Sequence, residues 1–385
     1  MIKANIKKME EYKPPLEGRA SKKYLLLDFN ERTSAPSLKV KRALKNFIDK
    51  DKLQTYPEYG DLDKKIANYA KVRDSQVMVT NGSDQAIDII FRAYVGERDK
   101  VIIPSPSFAM FYQSAEIQGA NILKPFYKKD SAPEPRRNRL AATLQGKQVR
   151  CGASLSFPLK ETLDLINTRV KPRSRESRYR AKLIVICNPN NPTGTPLPIK
   201  DVEKILRKAK KKGAAVLHDE AYFEFCGITA KSLIAKYDNL YITRTFSKAF
   251  GLPSIRAGYV LSQKKNIQEL LKIRGPYDVS MFAKTAILAA LNNAKYMKDY
   301  VGEVMKKSKP RFEKFLRERR ITFFSSAANF LLVKIPHSEK TYKTLKSQGI
   351  LVRPREGPNI NKTIRISVGN KAETNQLIDT LNKIM

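Results

Sequence analysis

The chain has 385 residues, 42% of them apolar, which is enough for a sizeable core and long for one compact domain. Two histidines, His218 and His337, and three scattered cysteines, Cys151, Cys187 and Cys226, exclude multi-histidine metal centres and match no metal spacing, so no metal site is expected. The net charge of +37 could suit nucleic acid, but the basic residues are spread along the whole chain, with no zinc finger, RNP-like motif or basic helix with heptads, and a solvated surface is the preferred reading.

In chain order, the opening MIKANIKKMEEYKPP holds no apolar h-region, so no secretory signal is expected, and no run reaches the length of a membrane span. The cysteines read as thiols of a reducing cytoplasm. From about Leu25 to Val260, short apolar or β-branched runs alternate with loops and helical periodicity. QVMVT leads through NGSD into the helical QAIDIIFRAYV, and KVIIP leads into SPSFAMFYQSAE. KLIVIC leads through NPNNPTGT into IKDVEKILRKAKKKG; AAVLHDEAYFEF and NLYITRTFSKAF follow. Fully apolar runs of this length suit a parallel sheet covered by helices on both faces. Ligands of such sheets bind at the carboxyl ends of the strands, and the polar clusters of this chain all fall there. Two basic stretches, residues 128–153 and RVKPRSRESRYRAK, break the pattern and read as mobile surface loops. After Gly275, helical stretches lead to three short strands, ANFLLVKI, GILVRP and TIRISVG, around a further helix, an α+β unit.

The polar clusters suggest one composite site. Gly82, Ser83 and Asp84 follow a strand and open a helix, where backbone N–H groups can face an anion; capping by Ser83 or Asp84 is the plainer alternative. Asp219 ends a buried strand and needs a cationic partner such as a protonated heteroaromatic nitrogen, unless it caps a helix. Tyr222, three residues on, is brought to the same side by a turn, whereas His218 faces the other side and reads as packing. Asn191 sits in a Pro/Asn/Gly turn that either presents it to a ligand oxygen or is structural only. Lys248 lies among Thr245, Ser247 and Arg256, groups that bind phosphate and lower a lysine's pKa. A phosphate site, a carboxylate for a ring nitrogen, a phenol and an amide for a ring oxygen, and a lysine for an aldehyde describe pyridoxal phosphate.

The blocks NPNNPTGT, DEAYFEF and RTFSKAFGLPSIRAGY resemble the signatures of fold-type I pyridoxal-phosphate aminotransferases, most closely the histidinol-phosphate aminotransferase branch. The likeness extends to LLLDFNER, QTYPEYGDL, NGSDQAID, SPSFAMF, ANFLLV, GILVRP and TIRISVG, nearly the whole chain outside the basic insertion. It implies an α/β fold with a mainly parallel seven-stranded sheet and a smaller α+β C-terminal domain. The expected division is an arm at 1–32, a cofactor-binding domain at 33–275 with an insertion at about 128–153, and a small domain at 276–385. It further implies that Lys248 holds the cofactor as a Schiff base and shuttles a proton, that Asp219 keeps the pyridinium protonated, and that Tyr222 and Asn191 bond the ring oxygen. Phe108 takes the stacking position. Gly82, Ser83, Asp84, Thr245, Ser247 and Arg256 surround the cofactor phosphate. Arg365 binds the substrate's carboxylate or phosphate, and Arg353 and Tyr12 help to hold a substrate phosphate. Tyr56 reaches into a partner subunit's site, which implies a homodimer.

Three features depart from the family: NERTSAPS stands where Asn-Glu-Asn-Pro is usual, Gln85 replaces an acidic residue, and the basic insertion is extra. The expected activity is transamination between histidinol phosphate and 2-oxoglutarate. An aromatic or broad-specificity aminotransferase, a threonine-phosphate decarboxylase, and a nucleic-acid-binding protein on this fold are the alternatives.

Overall fold

The structure is a computed structural model and describes residues 1–16, 18–19, 24–50, 52–129, 152–167 and 180–384. The alternating pattern folds into one seven-stranded sheet. Its strands in chain order are β1 (Val77–Thr80), β2 (Lys100–Ile102), β3 (Asn121–Leu123), β4 (Ala181–Cys187), β5 (Ala215–Asp219), β6 (Leu240–Thr245) and β7 (Gly258–Leu261). The spatial order is β1-β7-β6-β5-β4-β2-β3, and all are parallel except β7, which runs against both its neighbours.

Side chains alternate across each strand, so a sheet covered on both faces needs apolar residues at successive positions. Ile184, Ile186 and Val216 pack into one core, Leu183, Val185 and Leu217 into the other. The helix Ile199–Lys211 covers the first face with Val202, Ile205, Leu206 and Ala209, one stripe at helical spacing, and turns its lysines outward. The helix Gly82–Tyr94 covers the second with Ala86, Ile87, Ile90 and Phe91. The six parallel strands point their carboxyl ends to one edge of the sheet, and β7 alone ends at the other.

The C-terminal part forms a separate five-stranded sheet, where three strands are expected from the sequence. Its order is Arg353–Arg355, Thr363–Ser367, Phe330–Lys334, Thr322–Phe324 and Gly152–Ala153. GILVRP divides in two: Ile350–Leu351 pairs in parallel with Leu25–Leu26 near the chain's start, and only Arg353–Arg355 joins the larger sheet. The stretch 128–153 is not a loop at its ends. Lys128–Lys129 pairs with Leu155–Ser156, and Gly152–Ala153 adds an edge strand to the C-terminal sheet, because backbone pairing needs no hydrophobic signal. The rest of that insertion, Cys151 and most of the second basic stretch lie outside the described residues. Among the described residues, no helix is long and apolar enough to cross a membrane.

Candidate active site

Five strand ends deliver the candidate residues to one place. Ser83 and Asp84 follow β1, Phe108 follows β2, Asn191 follows β4, Tyr222 follows β5 and Lys248 follows β6. They line a cavity of about 180 Å³ together with Asp219, Thr245, Ser247 and Arg256. A second cavity of about 160 Å³ shares Phe29, Phe108, Asn191, Tyr222 and Lys248 with it and adds Tyr12, Arg353 and Arg365.

Lys248 Nζ donates to the Phe29 carbonyl at 2.8 Å. Burial, reinforced by the guanidinium of Arg365, pushes its pKa down to about 8. At neutral pH a useful fraction is therefore the free amine, the form that attacks a carbonyl carbon.

Asp219 is 3% exposed. The register of the sheet sets its neighbours: Thr243 lies opposite it on β6 and Cys187 on β4. Thr243 Oγ1 donates to one carboxylate oxygen at 2.7 Å, and Cys187 Sγ lies 3.6 Å from the other. Burial pushes the carboxyl up to about 6 despite the Thr243 bond. No ion pair reaches Asp219 among the described residues, so the site lacks the cation that a buried carboxylate calls for. His218 does face the opposite side, but it is held by polar contacts rather than by simple packing. Its Nδ1 lies 3.1 Å from Glu220 Oε1 and its Nε2 3.2 Å from Asn188 Nδ2.

The Tyr222 phenol accepts a bond of 2.9 Å from Asn30 Nδ2, and burial pushes its pKa up to about 12. It stays a phenol, able to donate to an oxygen in the cavity. Asn191 Oδ1 accepts from Arg365 at 2.6 Å, which couples the two cavities. Phe108 is held edge-on by Phe111, with ring centroids 5.6 Å apart.

At the other end, the helix Gly82–Tyr94 begins with Asn81 at its N-cap and no side-chain cap, so neither Ser83 nor Asp84 serves as one. Gly82 has φ +75°, and a Cβ there would meet Arg256 Nη2 at 2.6 Å. A Cβ on Gly258 would stand 2.6 Å from both Gly82 C and Ser83 N. The two glycines let the guanidinium and β7 close around the helix start. Arg256 donates to Asp84 at 2.7 Å, and both are half-exposed. Thr245 Oγ1 accepts from the Ser247 amide at 3.1 Å, while Ser247 Oγ is buried without a partner. A buried orphan hydroxyl, open helix N–H groups and a guanidinium are the features of a phosphate cradle. Gln85 bonds the Asn81 amide and Asp278, a structural part at this helix start.

Arg365 is 3% exposed, and burial, then Arg355, pushes its pKa down to about 9. Besides Asn191 it donates to the Asp28 carbonyl. Arg353 stands 5.4 Å from the ring of Phe29. Tyr56 is not brought to these cavities: it is 77% exposed and stacks on Tyr277 at 4.4 Å. The sequence reading missed Arg355, Asn30, Thr243 and Cys187. Arg355 was detectable, since it follows Arg353 by two residues in a strand and so shares its face. Thr243 and Cys187 depend on strand register, which no local motif carries.

The family described as aminotransferase class I and II matches residues 22–381. The chain belongs to this family. It is an enzyme that takes an amino donor and a 2-oxo acid, and its cofactor is pyridoxal 5'-phosphate, which the phosphate cradle, the buried carboxyl of Asp219 and the amine of Lys248 fit. The chain is similar to a histidinol-phosphate aminotransferase of Caldanaerobacter subterraneus, with 29% identity over 93% of this chain and 92% of that protein. It is also similar to a dihydroxyacetone phosphate transaminase of Campylobacter jejuni, with 31% identity over 93% of this chain and 89% of that protein. Its fold matches that of a histidinol-phosphate aminotransferase from Sinorhizobium meliloti in complex with pyridoxal-5'-phosphate, with a TM-score of 0.81 and 22% identity over 100% of this chain and 98% of that one.

Proposed function

We propose that this aminotransferase moves the amino group of histidinol phosphate to 2-oxoglutarate, a step of histidine biosynthesis. The observation that carries the reading is the continuity of two cavities. Lys248, Asn191 and Tyr222 line both, and the guanidiniums of Arg353 and Arg365 line the outer one. An anion held there places the rest of a substrate against Lys248. Arg365 serves a phosphate in one half-reaction and a carboxylate in the other, because a guanidinium fork pairs with either.

When bound, pyridoxal phosphate supplies an electron sink for the carbanion formed at the substrate carbon. Asp219 stabilises positive charge on the ring nitrogen from its dry site between Thr243 and Cys187. Tyr222 and Asn191 would bond the ring oxygen, and Phe108 would supply the aromatic face for the ring. The cradle of Gly82, Ser83, Asp84, Thr245, Ser247 and Arg256 takes the cofactor phosphate. Lys248 Nζ, poised near neutrality, would take up and release the proton of the substrate carbon. Tyr12, 43% exposed at the outer cavity, adds a donor for the substrate phosphate.

A cytoplasmic homodimer is part of the reading. Tyr56 stands outside its own cavity, exposed and stacked on Tyr277, which suits a residue that completes the site of a second copy. The free thiols of Cys187 and Cys226 accord with the cytoplasm. The division into an arm at 1–32 and domains at 33–275 and 276–385 belongs to the same proposal.

Dihydroxyacetone phosphate as amino acceptor is the second reading, favoured by the Campylobacter relative; it too presents a phosphate monoester to the arginines. Steady-state kcat/KM for histidinol phosphate, phenylalanine and dihydroxyacetone phosphate, each with its co-substrate, tests the choice. Histidinol phosphate should lead; a higher value for phenylalanine overturns the phosphate reading, and a higher value for dihydroxyacetone phosphate replaces the substrate.

A further inference from the structure

Arg353 and Arg355 alternate onto one face of their strand, and the antiparallel register sets Arg365 directly opposite Arg353. All three line the outer cavity. Like charges in directly opposite positions of a sheet repel, and the surroundings do little to relieve them. Among the described residues, the side chains of Arg353 and Arg355 take part in no hydrogen bond or ion pair, and Arg355 Nε is buried without a partner. The one carboxylate of the cavity lining, Glu356, accepts instead from the backbone N–H of Lys362. The terminal nitrogens of Arg365 are committed to Asn191 and the Asp28 carbonyl.

We propose that Arg355 is a specificity-determining residue of this pocket, a third guanidinium that selects a doubly charged phosphate monoester over a singly charged or neutral group. A carboxylate offers two oxygens and one charge, which one guanidinium fork satisfies. A phosphate monoester brings three terminal oxygens and nearly two charges at neutral pH. Arg365, already bonded twice, does not satisfy all of them, and Arg353 and Arg355 flank the remaining space with unused donors. The repulsion among the three is what a dianion relieves and a monoanion relieves only in part. The inference rests on the reading that this cavity receives the anionic end of the substrate.

The test compares histidinol phosphate with histidinol in the cofactor-loaded wild type, Arg355→Met and Arg355→Lys. The ratio of their kcat/KM values should fall about ten- to a hundredfold in Arg355→Met, through KM rather than kcat, and recover in part in Arg355→Lys. An unchanged ratio in a variant that keeps its Tm and its cofactor overturns the proposal. Inorganic phosphate, titrated with the cofactor absorbance as signal, separates this inference from the choice of substrate. Should neither histidinol compound turn over, the proposed substrate falls, yet phosphate should still bind about tenfold or more weaker to Arg355→Met and intermediate to Arg355→Lys. Equal phosphate affinity in wild type and both variants refutes the role of Arg355.

Discussion

Gly82→Ala probes the cofactor cradle through one methyl group. The residue has φ +75°, a left-handed conformation that costs an L-residue with a Cβ about 1–2 kcal/mol. The new Cβ also meets Arg256 Nη2 at 2.6 Å, inside contact distance. Because that atom ends a flexible side chain, the guanidinium swings away at little steric cost, but it then leaves both Asp84 and the phosphate cradle. Loss of a charged hydrogen bond is worth about 1.5–3 kcal/mol, so affinity for pyridoxal phosphate should fall about ten- to a hundredfold. Tm of the cofactor-free protein should drop by the backbone term and little more, since the lost Arg256–Asp84 pair is half-exposed. Cofactor titration followed by absorbance measures the first and thermal unfolding the second. In an Arg256→Ala background the extra loss of affinity should shrink, since no guanidinium remains to displace. Wild-type affinity in Gly82→Ala, or an undiminished effect in the double variant, would refute the argument.

Other outcomes follow from the same site. Asp219→Asn should lower the transamination rate by about a hundredfold or more while cofactor still binds, because a charge in a dry, preorganised position is lost; a near-normal rate removes Asp219 from the mechanism. Lys248→Met should raise the Tm of the cofactor-free protein below about pH 8, and the gain should shrink as pH rises above 8. The sign follows from burial: the folded lysine releases its proton near 8 while the unfolded one keeps it to about 10.4, so wild-type stability rises with pH across that window. A gain that grows with pH contradicts it. Retention of the protein on duplex DNA should vanish between about 50 and 200 mM salt if the +37 charge is a solvated surface; binding that persists at higher salt revives a nucleic-acid partner.

The sheet was legible because burial on both faces demands uninterrupted apolar runs, and each run of that kind, such as KLIVIC, became a strand. The strand-end clusters were legible for a related reason: Asn191, Tyr222 and Lys248 each directly follow such a run, so placing the strands placed the residues. Short edge strands escaped, since Asn121–Leu123 and Gly152–Ala153 hold too few residues to show a period. Contacts across the sheet escaped as well. Thr243 and Cys187 meet Asp219 only through register, and Asn30 meets Tyr222 across 192 residues of chain. Arg355 was lost differently: its alternation with Arg353 was in plain sight, but only the opposite placement of Arg365 turns two arginines of one strand into a pocket.

Single-turnover absorbance of the purified, pyridoxal-phosphate-loaded protein tests the central claim most directly. Histidinol phosphate added alone should convert the cofactor spectrum from the aldehyde to the amine form in one step, 2-oxoglutarate should restore it, and Lys248→Ala should do neither. A spectrum that histidinol phosphate leaves unchanged, while another amino donor converts it, would contradict the assignment of the substrate; conversion by Lys248→Ala at the wild-type rate would contradict the site itself.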